Sequence, residues 1–355
     1  MTVGDLGEAA VIDPGTTVGD LGEAAVIERI RRRTPAPPDW VPTGIGDDAA
    51  VVEPARGTLD VVTTDTLVEG VHFDRTFVSA ADIGHRTLAV NLSDLAAMGA
   101  TPRVAVLSLV LPGTLAVADL DGMIEGLLAL AARHGVSLVG GNVTRTRGPL
   151  VLGVTAVGAV RRRRVLTRDG GRPGDELWVT GAVGAAAAGL AALRQGPAAG
   201  PMSGADLDDC IERYRRPEPR GRIGTLLGRN RVARAGIDLS DGLADGLRQL
   251  ARASGLGAVV DAAAIPVHPG ARRWFGLEGG APLEAALRGG DDYELLIAVP
   301  RRQRRALRML TRQFRGVPVT RIGELTKSPD SVLRTADGDR PVPAGYEHFR
   351  QESAP

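Results

Sequence analysis

Residues 89–100 read AVNLSDLAAMGA, and this stretch constrains the fold more than any other. It reads as the second half of a helix that begins near Ser79. Ala, Val, Leu and Met occupy almost its whole circumference, and a helix that is apolar all round is a buried one. Yet Asn91 and Asp94 sit inside it, three residues apart and therefore on one face. A buried carboxylate without a partner costs several kcal/mol, on the order of the whole stability margin of a domain. Something positive must meet Asp94. No Lys or Arg stands three or four residues to either side of it. The partner is either a distant basic residue or a bound metal ion.

The remaining loops favour the metal. Acids recur beside Gly, Ser and Thr in GIGDDAA (44–50), TTDTLVEGVHF (63–73), GIDLSDG (236–242) and GGDDYE (289–294). One pair of carboxylates would suit general acid–base chemistry. So many, each next to a hydroxyl or a glycine, suit Mg²⁺, which takes oxygen ligands and shares its shell with water and phosphate. The double glycines at 140–141 and 289–290 let backbone approach a bulky anion closely. Ser240 and Asp241 stand at the start of a helix, where free N–H groups favour phosphate oxygen. Each sign alone has a plainer reading, as a helix cap or a turn. Together they point to a metal–nucleotide site.

Composition narrows the class. A chain of 355 residues has room for two domains. A net charge of +1 gives no bulk field towards nucleic acid or a membrane, and 3% aromatics leave little to stack on bases. The one cysteine, Cys210, rules out a disulfide framework and argues against a thiolate zinc site. No apolar run reaches the length of a membrane span and no secretory signal opens the chain. The expectation is a cytoplasmic protein.

An exact repeat, TVGDLGEAAVI, occupies 2–12 and again 17–27. Two copies are too few for a solenoid. Only the second continues into a helix, EAAVIERIRRR, so 1–16 is expected to be a peripheral, disordered duplication. Strands are then expected at 47–54 and 59–67, followed by the buried helix closed by Gly99. A strand at 102–112, a helix at 117–134 capped by Gly135, and strands at 136–142 and 148–160 complete a β-β-α-β-α-β-β unit, a mixed sheet with helices on one side. RPGD (172–175) opens a second unit. It holds strands at 176–181, 233–238, 258–266, 291–300 and 317–326, helices at 181–193, 243–254 and 301–313, and polar, proline-bearing sequence at 195–220. The arginines of the 301–313 helix read as a solvated face.

Familiar nucleotide motifs are missing. There is no G-x-x-x-x-G-K-[ST] loop, no G-x-G-x-x-G after a strand, no kinase H-R-D or D-F-G set, and no G-x-S-x-G nucleophile elbow. An ATP site in this chain works through acids and metal.

The ordered set GIGDDAAV, TTDTLVEGVHF, AVNLSDLAAMGA, GGN, VLTR, RPGDELWVTG, IDLSDGLADGL, GGDDYELL, IGEL and GYEHF, spanning roughly 17–350, resembles the thiamine-monophosphate kinase family. That family belongs to the aminoimidazole ribonucleotide synthetase-like superfamily. The resemblance implies an α/β fold with mixed sheets in two domains, 17–160 binding metal and ATP and 161–350 forming a C-terminal α/β domain. It also implies a homodimer in which N-terminal domains share a β-barrel. The implied activity is phosphorylation of thiamine monophosphate to thiamine diphosphate, by direct in-line transfer of the ATP γ-phosphate with several Mg²⁺ ions and no phospho-enzyme. By position, Asp48, Thr63, Thr64, Asp65, Asp94, Asn142, Asp238 and Asp241 are implied metal ligands. Gly141, Asn142, Arg168 and Ser240 are implied ATP contacts, and His72, Asp291 and Tyr346 implied contacts of thiamine monophosphate. Taken alone, His72 between Val71 and Phe73 and Tyr346 near the C-terminus would read as structural. Thr63 and Thr64 alternate along a strand, so at most one side chain faces the metals.

Two rivals remain at this stage: a sister enzyme of the superfamily with another acceptor, and a nucleotide-binding paralogue that has lost catalysis. The absence of a Cys or Lys nucleophile near the N-terminus counts against selenophosphate synthesis, and the absence of a C-terminal Cys tail against a hydrogenase-maturation role. The second rival rests on Asn142, where relatives commonly carry Asp.

Overall fold

The computed structural model describes Asp13, residues 15–196, Gly200 and residues 202–345. Of the duplicated segment 1–16 only Asp13, Gly15 and Thr16 are therefore described, and the expectation of disorder there lies largely outside the described residues.

The chain runs through α1 (Val18–Leu21), α2 (Glu23–Arg33), β1 (Leu59–Val68), α3 (Ala80–Ala97), β2 (Thr101–Pro112), α4 (Val117–His134), β3 (Ser137–Thr146) and β4 (Val151–Val160). These strands form one sheet in the order β1-β4-β2-β3, with β2 and β3 parallel and the other neighbours antiparallel. Beyond it come β5 (Glu176–Thr180), α5 (Ala185–Gln195), α6 (Ala205–Arg215), α7 (Gly221–Asn230), β6 (Ala235–Asp238), α8 (Leu243–Ala253) and β7 (Gly257–Asp261). Then follow α9 (Pro269–Leu277), α10 (Pro282–Arg288), β8 (Leu295–Val299), α11 (Arg304–Thr311), β9 (Val319–Thr326), β10 (Ser331–Thr335) and β11 (Gly338–Pro341). Their sheet has the order β11-β10-β7-β9-β5-β8-β6. Both sheets are mixed, as expected. The first is open, with β1 and β3 at its edges, so the expected barrel is not closed within one chain. Among the described residues no helix is long and apolar enough to cross a membrane.

α3 is the axle. Ser79 caps it, its hydroxyl accepting from Asp82 N, and Gly99 at φ +69 ends it in the left-handed conformation that glycine adopts without strain. Ile83, Leu88, Leu92 and Leu95 are all at most 1% exposed. α3 packs on α4 backbone to backbone. A Cβ on Gly84 would stand 1.8 Å from Met123 O, and one on Gly126 1.9 Å from Ala81 O. On the other side α7 presses its Gly224 to Ala96 O, where a Cβ would stand 1.9 Å away. This close clamping fixes where Asp94 points.

Two expectations are corrected. Residues 47–54 are not a strand: Val51 N donates to Thr43 O and Glu53 N to Trp40 O, so this segment spends its donors on 40–43 and leaves β1 as the sheet edge. Residues 195–220 are not merely polar loop, because they contain α6. Its buried residues Leu207, Cys210, Ile211 and Tyr214 follow the i, i+3, i+4, i+7 spacing of an amphipathic helix.

Candidate functional site

β1 alternates. Thr63 and Asp65 point inward toward α3 while Thr64 and Thr66 face solvent. The Thr63 hydroxyl donates to Asp94 Oδ2, and Thr64 instead bonds Val154 O at 3.2 Å on the far face. Asp238 closes β6 directly beneath α3, where Ser93 Oγ donates to its Oδ2 at 2.8 Å. Gly242 then turns the chain into α8, placing Ser240 and Asp241 ahead of the first free N–H groups of that helix. Thus β1, α3 and the β6–α8 turn bring Asp65, Asp94, Asp238, Ser240 and Asp241 to one wall of a cleft of about 1030 Å³.

The acids disturb one another. Burial, then the Asp94 charge and hydrogen bond, push Asp65 up to about 6. Burial, then the Asp94 charge, push Asp238 up to about 7. Asp94 is raised too, chiefly by burial, with the Thr63 hydroxyl and the Arg168 charge pulling the other way. None of these three makes an ion pair with a described residue, and Arg168 acts on Asp94 and Asp238 only from a distance while its Nη1 donates to Gln249 Oε1 at 2.6 Å. The distant basic partner left open by the sequence is therefore only a weak neighbour.

The rest of the lining is of mixed character: Ala186, Ala187, Leu190 and Phe275 are apolar, and Arg194 and Arg288 add positive charge. His72 lines the cleft and accepts Val68 N–H at Nδ1, 3.1 Å away. Asp291 lines it as well, paired to Arg86 at 2.6 Å. Asp292 turns away and accepts from Gly184 N and Ala186 N at the start of α5; burial still pushes it up to about 8.

Seven implied site residues thus line one cleft: Asp65, His72, Asp94, Asp238, Ser240, Asp241 and Asp291. Thr63 joins through Asp94 and Arg168 through its field. Asp48 lies exposed in the 44–50 loop, and Gly141 and Asn142 lie exposed on β3, the edge away from β1. Those three do not line the cleft. Tyr346 lies outside the described residues, although Gly345 before it reaches the cleft. The double glycines serve the fold first. A Cβ on Gly141 would meet Leu107 O at 1.9 Å, and one on Gly290 would meet Ser240 O at 2.5 Å, so close chain packing demands them whether or not an anion approaches.

Sequence reasoning missed Arg86, Tyr293 and Asp292. Arg86 lay in the same helix as Asp94, and its charge in an otherwise apolar run was the available signal. Two other features are not sites of the same kind. A cavity of about 600 Å³ beside Arg103, Arg161, Arg164 and Arg229 contains no acid and none of the implied residues. Cys210, His268 and Asp209 form a chain resembling a nucleophilic triad, with Sγ 3.6 Å from Nδ1 and Nε2 2.9 Å from Oδ2. But Nδ1 accepts Gly270 N–H to cap α9, and burial pushes the thiol up to about 12, so no nucleophile forms.

Known proteins resemble this chain in sequence and in fold. The chain matches the family of AIR synthase related proteins, with the N-terminal domain over 46–160 and the C-terminal domain over 172–335. It is 41% identical to the thiamine-monophosphate kinase of Salmonella typhimurium over 313 residues, 87% of this chain and 92% of that one. Its fold superimposes on the crystal structure of thiamine-monophosphate kinase from Stenotrophomonas maltophilia K279a with a TM-score of 0.77 and 41% identity, covering 88% and 96% of the two chains. It superimposes on AaThiL complexed with AMPPCP and TMP with a TM-score of 0.73 and 29% identity, covering 94% and 99%.

Proposed function

Because the chain belongs to the thiamine-monophosphate kinase family, we propose that its cleft transfers the γ-phosphate of ATP directly to the phosphate of thiamine monophosphate, giving thiamine diphosphate. The observation that carries this reading is that Asp65, Asp94 and Asp238, from three separate elements, are buried together, all raised by that burial, and make no ion pair among the described residues. Two phosphate dianions must approach each other in such a reaction, so the site has to supply positive charge.

The donor set fits Mg²⁺. It is made of oxygen atoms alone, from Asp65, Asp94, Asp238 and Asp241 with the Thr63 hydroxyl close by. Among the described residues no group of three or more His, Cys, Asp or Glu is arranged to hold an ion unaided. Mg²⁺ commonly takes one or two carboxylates and completes its shell with water and phosphate. Asp65, Asp94, Asp238 and Asp241 would hold the metal, and its charge would offset the repulsion between the phosphates. The protein's own part is positional. Ser240 and the N-terminus of α8 receive phosphate oxygen, Arg168 adds charge at the rim, and the apolar wall with Phe275 excludes water around the thiamine rings. Asp291 and His72 face those rings, and Tyr346 would complete their enclosure.

In this reading residues 17–160 form the metal- and ATP-binding domain and 161–350 the α/β domain, in a cytoplasmic enzyme. Two copies would pair β3 of one sheet with β1 of the other, closing the barrel. That pairing would bring Gly141 and Asn142 of one copy to the edge that carries Thr63 and Asp65 in its neighbour. Asn142 keeps a carbonyl oxygen but lacks the charge of Asp. Asn142→Asp should therefore lower the Mg²⁺ concentration for half-maximal rate, by roughly two- to tenfold. An unchanged Mg²⁺ requirement would remove Asn142 from the ligand set.

The reading is tested by chromatography of ATP and thiamine monophosphate incubated with the chain. Thiamine diphosphate and ADP should appear in equal amounts. Phosphorylation of another acceptor instead would favour a sister activity, and nucleotide binding without product would favour the non-catalytic paralogue.

A further inference from the structure

We propose that Arg86 is a positioning residue that grips one oxygen of the Asp291 carboxylate and so aims the other into the cleft, at the cationic ring of the substrate. This rests on the reading of Asp291 as a contact of thiamine monophosphate and adds to it the residue that makes the contact directional.

Arg86 is 2% exposed and lies on α3 about two turns before Asp94. Its Nη2 meets Asp291 Oδ1 at 2.6 Å, its Nη1 donates to Tyr214 O, and its guanidinium lies over the Tyr214 ring, 4.6 Å from the centroid. The Tyr293 hydroxyl donates to the same Oδ1 at 3.0 Å. Both holds are on one oxygen, and Oδ2 has no partner among the described residues. A buried Arg needs a counter-ion in any case. A counter-ion alone does not require what the backbone does here. Asp291 sits at φ +68 and Tyr293 at φ +49, the left-handed region that residues other than glycine rarely adopt. Asp291 N donates to Ser240 O at 2.7 Å and Tyr293 N to Leu239 O at 3.1 Å, so the strained turn is tied to the loop that carries Asp238 and Asp241. Strain of this kind persists where the surroundings over-determine it, and it gathers at ligand clamps. Arg86 thereby links the helix of Asp94 directly to the turn of Asp291.

A directed carboxylate oxygen makes the site prefer a cation over an uncharged ring of the same shape. The probes are thiamine monophosphate and its uncharged isostere, in which carbon replaces the thiazolium nitrogen, with affinities measured by calorimetry. The wild-type chain should prefer the cation by about tenfold or more, the scale of one charge-assisted contact. Asp291→Asn should abolish the preference. Arg86→Met should cut it to about threefold or less, and Tyr293→Phe, which removes only a hydroxyl, should cut it partway. Affinity for an ATP analogue should stay near wild type in both. If Arg86→Met does not fold, Tyr293→Phe decides. Preserved preference in these variants, with only a lower melting temperature, would overturn the positioning role. A wild-type chain that makes thiamine diphosphate but shows no preference would instead remove Asp291 from the substrate site, and the proposal with it.

Discussion

Asp94→Asn yields a folded protein whose turnover falls by about a thousandfold, the equivalent of ~4 kcal/mol of lost transition-state charge stabilisation. The amide keeps an acceptor for the Thr63 hydroxyl and gains a donor towards Asp65, so the local hydrogen bonds survive. What disappears is one negative charge from a cluster that needs it to hold cations. In EDTA the variant should be the more stable protein, by about 1 kcal/mol, because like charges no longer crowd in a buried wall. The sign with pH follows. Asp65 at about 6 and Asp238 at about 7 bind protons more tightly in the folded chain than in the unfolded one. Their contribution is therefore most favourable at low pH and declines as pH rises through these values. The stability gain of Asp94→Asn should accordingly be larger at pH 8 than at pH 5. A variant with full activity and the same gain would mean that Asp94 is structural only.

Arg220→Met should be the most damaging change away from the cleft. Glu294 is 0% exposed, and Arg220 grips both its oxygens, Nε donating to Oε2 at 2.7 Å and Nη2 to Oε1. Thr180 Oγ1 donates to Oε2 at 2.6 Å and in turn accepts from Leu295 N. Without Arg220 the nearest cation is Arg213, 4.0 Å away and half out in solvent. Removing one partner of a buried pair costs roughly 3–5 kcal/mol, because the other charge stays behind. Calorimetric melting should fall by about 10 °C. Arg220→Met combined with Glu294→Leu should recover most of that loss. A fall of only a degree or two would show that water reaches Glu294 and that the pair is not buried in solution.

Both cases mark what was legible in the chain beforehand. α3 could be read because its signal is local: an apolar circumference, a Ser cap, a Gly stop, and an acid with no base within a turn. The loops rich in acid, Gly and hydroxyl could be read because each carries its own turn chemistry, and family likeness put them in one site. α6 carried a clean helical spacing that its charges and the prolines flanking it disguised. α7 was harder, since three of its ten residues are glycines, and Gly224 is there for close packing on α3. Residues 47–54 looked like a strand because alternation does not reveal whether a neighbouring strand is there to pair with. Arg220 with Glu294, and Arg86 with Asp291, were invisible for another reason. Each joins residues far apart in the chain, and nothing in single-chain spacing reports such a meeting. Gly141 and Asn142 stand on β3, an edge strand of its sheet, and nothing in single-chain spacing reports what such an edge meets.

We propose above that Asp65, Asp94, Asp238 and Asp241 hold the metal that lets a triphosphate approach. Titration calorimetry of a non-hydrolysable ATP analogue, in Mg²⁺ and then in EDTA, tests it most directly. Binding is expected in Mg²⁺ and none in EDTA, since carboxylates crowded without a metal repel the triphosphate. Equal affinity in the two buffers would contradict it.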